Sequence, residues 1–271
     1  MSTAAAVLSN TQIERTASHT TAIYLKEAKY EFLKNLRLRV YTVSVISFPL
    51  MFYVLFGLLL NSKESIGSTH IPTYLIATYG TFGVMGASLF GTASGLASDR
   101  GLGWLQVKRA SPMPPFAYFI AKVLVSMAFS AVVVFLLILL GISFGGVRFP
   151  VGEFTKLVAT LVVGSIPFSA MGLALGYFAG PNSAPAAINL IYLPMSFCSG
   201  LWVSYMFLPK FLQKVALALP PYHLSQLALG TVGARFHHST ATHWEVLFAF
   251  TLICLGVARI GFQRDQGKLY G

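Results

Sequence analysis

Hydrophobic positions in this chain come in long unbroken blocks separated by short charged stretches. That is the pattern of a polypeptide crossing a bilayer several times, rather than of one alternating inward and outward faces. The first block without Asp, Glu, Lys or Arg covers residues 40–60, enough for one helical crossing at roughly 20 residues each. Its Pro49 is compatible with a span because neighbouring helices can satisfy the freed carbonyl. A second block, 71–98, is bounded by Asp99 and Arg100 and carries Gly80, Gly83, Gly86, Gly91 and Gly95; its Gly91-x-x-x-Gly95 spacing predicts close helix packing. A third span is predicted over 123–144. Residues 157–209 contain no charge at all, about twice what a crossing needs, and are interrupted at Gly180-Pro181-Asn182-Ser183-Ala184-Pro185, which predicts two spans joined as a hairpin. The last block, 246–258, is short, but Trp244 and a snorkelling Arg259 extend it into a sixth span. Before it, residues 211–234 carry Pro220-Pro221, His223, Ser225 and Gln226. They predict two short external helices hinged at the prolines and dipping partway into the membrane, rather than a seventh crossing.

The expected fold is therefore an all-α polytopic membrane protein with six transmembrane helices. Residues 1–21 form a flexible cytoplasmic N-terminus, 22–39 an amphipathic interfacial helix, 40–262 the transmembrane domain and 263–271 a cytoplasmic tail. The first long apolar run begins only near Val40, too far in for a cleaved secretory signal, so the N-terminus is expected to be retained. Composition agrees: 55% of the 271 residues are hydrophobic and 10% charged, against roughly 45–50% and 25% in soluble domains, which excludes a soluble enzyme. Cys198 and Cys254 lie in apolar runs, where thiols behave as small hydrophobes. The formal charge of +11 first suggests nucleic acid, but in a membrane protein it reports orientation. Thirteen basic residues fall on one side of the six-span map, namely Arg15, Lys26, Lys29, Lys34, Arg37, Arg39, Arg100, Lys108, Arg109, Lys122, Arg259, Arg264 and Lys268. Six fall on the other: Lys63, Arg148, Lys156, Lys210, Lys214 and Arg235. The positive-inside rule then places both termini in the cytoplasm, in a plasma membrane, and removes the case for a nucleic-acid partner.

Ahead of the first span, Leu25, Ala28, Phe32, Leu36 and Val40 recur at helical spacing while Lys26, Glu27, Glu31, Lys34 and Arg37 point elsewhere. Lys29 falls in the apolar stripe, where its ammonium has to snorkel. Such a helix is either an interfacial anchor or a docking surface for a cytoplasmic partner. The loop between spans two and three runs from Asp99 and Arg100 through Gly103, Trp104, Leu105, Lys108 and Arg109 to Ser111, Pro112, Pro114 and Pro115. Charged at its start and stopped by prolines, it predicts a short helix parallel to the membrane that projects a Trp or Leu knob.

At this loop the sequence resembles the permease subunits of ABC-2 type transporters, whose loop reads acidic-Arg-x-x-Gly-x-Leu followed by Ser/Thr-Pro. Asp99, Arg100, Gly103, Leu105, Ser111 and Pro112 fill that pattern, with Asp in place of the more usual Glu. The resemblance extends to the six spans, the interfacial helix, the Leu219-Pro220-Pro221-Tyr222 segment, and a basic tail, Arg264 to Gly271, like that of the drug-exporter branch. It implies a permease without catalysis of its own, an exporter of amphiphilic small molecules or lipids, with lipid-linked glycans as the alternative. It further implies a second permease copy or paralogue, and a separate ATPase subunit that binds ATP and Mg. This chain has no phosphate-cradling Gly-x-x-x-x-Gly-Lys-Ser/Thr loop; its Gly267-Lys268 is followed by Leu269. The loop residues, with Trp104, Lys108 and Arg109, are then expected to couple to that ATPase, Trp104 and Leu105 as anchors inserted in it.

Ion-coupled carriers place ionisable residues in their spans, and spans one to five have none in their cores. That disfavours secondary transport; a non-transport membrane scaffold is the other competing class. The substrate path is expected to use weakly polar groups, Ser88, Thr92 and Ser94 on span two and Asn189, Ser196 and Ser199 on span five, although such hydroxyls also commonly bond their own backbone. His237, His238 and His243 precede span six without a nearby ligand set other than Glu245, and read as a wet interfacial loop rather than a metal site.

Overall fold

A computed structural model describes residues 17–61, 64–66, 69–111, 113–114, 116–148, 150–234 and 239–267. Helix α1 (Ala17–Arg37) ends at Leu38, whose ψ of 78° leaves the helical region. The hydroxyl of Thr42 donates to the Asn35 carbonyl over 2.8 Å, supplying a carbonyl at the end of α1 with a donor. The chain thereby turns a corner into α2 (Arg39–Phe52), which continues in π-helical turns over Tyr53–Leu59. Strands β1 (Ser65–Ile66) and β2 (Thr69–His70) pair antiparallel with Ser65 opposite His70. This hairpin corrects the all-α expectation, since a two-residue strand is below what periodicity registers.

The centre of the molecule is α3 (Ile71–Leu89), which runs through π-helical turns at Phe90–Ser94 into α4 (Gly95–Gly101). Nearly all of it is buried within the chain, packed by α2, α6 (Ala117–Phe144), α7 (Val151–Val163), α8 (Ser165–Phe178), α9 (Ala184–Cys198) and α11 (Pro220–Thr231). Its glycines permit this crowding: a Cβ on Gly83 would lie 2.5 Å from Val133 Cγ1, and one on Gly86 2.8 Å from the Tyr192 hydroxyl. Two tyrosines brought in this way donate to α3 carbonyls, Tyr41 to Ala87 and Tyr192 to Phe82, each over 3.1 Å. The final helix α12 (Thr240–Gly267) packs chiefly along α8.

Among the described residues five helices are long and apolar enough to cross a membrane: Arg39–Leu59, Ile71–Gly101, Ala117–Phe144, Val151–Phe178 and Thr240–Asp265. The chain is a membrane protein. The fifth expected span contains α9, apolar but only 15 residues, about 22 Å against a hydrocarbon core of ~30 Å. The segment that looked short in sequence, around 246–258, is instead a full-length helix, because helical structure runs on through Glu245 and Arg259. Two short helices do precede it, α10 (Lys210–Ala216) and α11, which opens on the proline pair and is buried from Pro220 to Leu229. Helix already covers residues 17–21, inside the stretch expected to be flexible, and the described part of the tail continues α12. Residues 1–16, Pro112 and 268–271 lie outside the described residues.

Candidate functional site

Where α1, α4 and α6 meet at one end of the bundle, three charged side chains are buried together beside a partly exposed Lys34. Lys122, 2% exposed, stands 2.6 Å from Glu31 Oε1 and 3.4 Å from Asp99 Oδ2. Lys34 Nζ donates to Asp99 Oδ1 at 2.5 Å, and the Tyr118 hydroxyl donates to Asp99 Oδ2 at 2.7 Å. Two ammonium and two carboxylate groups thus neutralise one another, the condition on which buried charge is tolerated. The small residue of the Gly91/Gly95 pair nearest this cluster makes the slot for it: a Cβ on Gly95 would sit 2.7 Å from Lys122 Nζ. The motif therefore serves packing within the chain. Helix α5 (Trp104–Ala110) is tied to α1 by Lys108 and Glu27, with the ammonium also over the Tyr118 ring at 4.7 Å. Arg100 donates through Nε and Nη2 to Asp265 Oδ1 (2.9 and 2.8 Å) and through Nη1 to the Gly176 carbonyl (2.8 Å), stapling the loop to α12 and α8.

These contacts redistribute the roles expected of the loop. Asp99, Arg100 and Lys108 are each ion-paired within their own chain. Gly103 adopts φ 74° and turns α4 into α5, a conformation open chiefly to glycine. Trp104 is 55% exposed, but Leu105 is only 5% exposed, packed with Leu96, Tyr118, Leu173 and Tyr177. Leu105 is therefore corrected from partner anchor to internal anchor, and the exposed apolar face of this segment is Leu102, Trp104 and Val107. Ser111 donates to the Lys108 carbonyl at 2.7 Å and closes the helix. The Arg109 side chain is not among the described parts, and neither is Pro112. On α1, Leu25 and Leu36 are exposed while Phe32 packs on Phe129 with ring centroids 5.4 Å apart. The charged side of that helix faces the bundle, because Glu31 has its cation there.

Beside the charged cluster opens a groove of about 970 Å³ between α2, the π-helical part of α3 and α9. Tyr41, Val45, Phe48, Phe90 and Tyr192 line its body, Ser44, Ser94 and Asn189 add polar groups, and Arg37 and Arg39 stand at the α1–α2 corner. Of the six residues expected along a path, Ser94 and Asn189 line it. Ser88, Thr92, Ser196 and Ser199 are buried; Thr92 and Ser196 donate to the carbonyls four residues back, Ser88 and Tyr192, at 2.6 Å each. Helical packing, which decides the face each hydroxyl takes, is not written in the spacing of serines. Sequence reasoning passed over the groove tyrosines and the Lys122 cluster. The available signal for the latter was Glu27, Glu31 and Asn35 at four-residue spacing on one helix side, with a lone lysine at the edge of an apolar run.

His243 is buried, its Nδ1 2.8 Å from Nδ1 of His223, which corrects the expected wet loop; His237 and His238 lie outside the described residues. No group of three or more His, Cys, Asp or Glu among the described residues is placed to hold a metal ion.

Comparison with known proteins places both regions in one homologous unit. The ABC-2 type transporter family profile matches residues 27–232, from Glu27 on α1 to the end of α11, so that Asp265 on α12 falls beyond it. A protein of Bacillus subtilis (strain 168) named "Putative transport permease YvfS" is 22% identical over 198 residues, covering 73% of this chain and 80% of that protein.

Proposed function

The chain belongs to the ABC-2 type transporter family, and from that premise we propose that it is the permease of an ATP-driven exporter, paired with a second permease and driven by two separate ATPase subunits that hold ATP and Mg. As a member of that family it is a membrane transport component. The observation that carries the finer reading is the unbroken polar linkage from α5 to a wall of the groove. Lys108 joins α5 to α1, Glu31 and Lys34 join α1 to α6 and α4, and α1 turns directly into α2 at Leu38. A push on the exposed Leu102, Trp104 and Val107 face is then delivered to α2, which shifts against α3 and α9 and alters the groove between them. The groove, apolar with a few polar groups, suits an amphiphilic substrate.

Six crossings with both ends cytoplasmic complete the proposal. In its support, Asp99 and Arg100 bond residues of both α1 and the end of α12, which puts those two helices at one end of the bundle and favours an even number of crossings. Five long helices and α9 give six, and the 13-to-six distribution of basic residues assigns that face to the cytoplasm.

The test is reconstitution with the cognate ATPase. Leu102→Ala, Trp104→Ala and Val107→Ala together should abolish ATPase co-purification and ATP-dependent export, while the permease still inserts and melts as the wild type does. Aromatic anchors in a partner pocket contribute about 2 kcal/mol or more each. Undiminished co-purification and export would overturn the coupling assignment. Substrate movement driven by a proton gradient without ATP would return the chain to the carrier class.

A further inference from the structure

Arg37 and Arg39 are set apart from the cations around them. Lys34, Arg100, Lys108 and Lys122 each have a carboxylate, whereas among the described residues neither Arg37 nor Arg39 has an ion-pair or hydrogen-bond partner, and both line the groove. No carboxylate among the described residues lines it. A further polar atom there lacks a partner: the Ser94 Oγ is shielded from solvent and bonds nothing. The groove wall on α2 runs from Arg39 to Pro49, ten helical steps or about 15 Å, half of the ~30 Å hydrocarbon core. The groove is therefore one leaflet deep, with paired guanidinium groups at headgroup level and aromatic rings below. Cytoplasmic arginines also arise from topology alone, but topology does not require them to border a cavity.

We propose that this groove takes an anionic amphiphile laterally from the cytoplasmic leaflet. Arg37 and Arg39 hold its acidic head, Ser94 and Asn189 offer polar contacts, and its chain lies along Val45, Phe48 and Phe90. Planar guanidinium groups bind phosphate or carboxylate oxygens in a fork, and strongly so near hydrocarbon. The inference rests on reading the groove as the transport path, and it adds the charge of the cargo.

The purified permease in a neutral detergent is titrated with phosphatidylglycerol bearing a fluorescent acyl chain, and separately with phosphatidylcholine bearing the same chain. The expected result is about tenfold tighter binding of the anionic lipid, a preference erased by Arg37→Gln with Arg39→Gln and largely kept by the two Arg→Lys changes. Ser44→Trp, or Asn189→Trp as a second obstruction, should remove binding of both lipids. Equal binding of the two lipids, abolished by either tryptophan, would overturn the charge assignment and leave the path reading intact. Binding indifferent to both tryptophans would overturn both. Absence of binding together with cross-linking of two Asn189→Cys chains would assign the groove to the contact between copies and overturn the proposal.

Discussion

Lys122 shows how a single buried charge organises its surroundings. Its ammonium lies between Glu31 and Asp99, and all three side chains are almost wholly buried. Lys122→Met would leave two carboxylates sharing only Lys34, and removal of one partner from a buried pair costs about 3–5 kcal/mol. The purified permease should melt at clearly lower temperature, and Glu31→Gln added to Lys122→Met should recover part of the loss, since the excess carboxylate is then gone. Additive losses in the double variant would show that the groups do not interact. Leu105→Ala belongs to the same scale. It removes an internal contact and should lower stability by roughly 2–4 kcal/mol, whereas Trp104→Ala, at an exposed site, should leave the melt unchanged. The loop motif was legible as a motif, yet Trp104 and Leu105 are neighbours in sequence and point to opposite sides of one turn. Only the cluster of Leu96, Tyr118, Leu173 and Tyr177 settles which one the chain keeps for itself.

Between elements, the orientation of α5 depends on Gly103 and on the pair of Lys108 with Glu27. A Cβ at Gly103 meets nothing within 4 Å, so Gly103→Ala tests the backbone alone; at φ 74° it should cost about 1 kcal/mol, and Gly103→Asn less. Reduced ATP-dependent export in the alanine variant, partly restored by asparagine, is the expected readout, and equal export in all three would separate the turn from coupling. Lys108→Glu sets two carboxylates against each other and should impair export, with Glu27→Lys in the same chain restoring most of it. Restoration falls short of complete because Lys108 also lies over the Tyr118 ring at 4.7 Å. The amphipathic pattern of α1 was readable in sequence. Which side meets the protein was not, because amphipathicity expects apolar residues to face the bundle, and here the buried cation Lys122 draws the charged side in.

Across the whole molecule, α1, α5 and the end of α12 share one end of the bundle, and the topology proposed from that is open to direct labelling. Single cysteines placed at Glu64 and Gln106 should label from opposite sides, position 64 from outside and position 106 from the cytoplasm alone. A reporter joined after Gly271 should be cytoplasmic. A reporter found outside would overturn the placement of both ends on one side of the membrane.

Length and charge pattern alone determined that this chain lives in a bilayer, where its main helices lie, that prolines divide the segment before the last span, and that a charged loop ends at the second span. These follow from the transfer cost of charged groups and from the absence of water to satisfy the backbone, both local properties of composition. The tertiary structure decided which polar groups are shared and which are left over. The carboxylates of Glu31 and Asp99 find Lys122 and Lys34 across 91 and 65 residues of chain respectively, Ser88 and Thr92 turn inward, and Arg37 and Arg39 remain unmatched among the described residues beside an apolar groove. Pairing across such separations depends on how helices cross, and helix crossing is set by the packing of small residues on α3 against its neighbours, which no periodicity along one helix encodes.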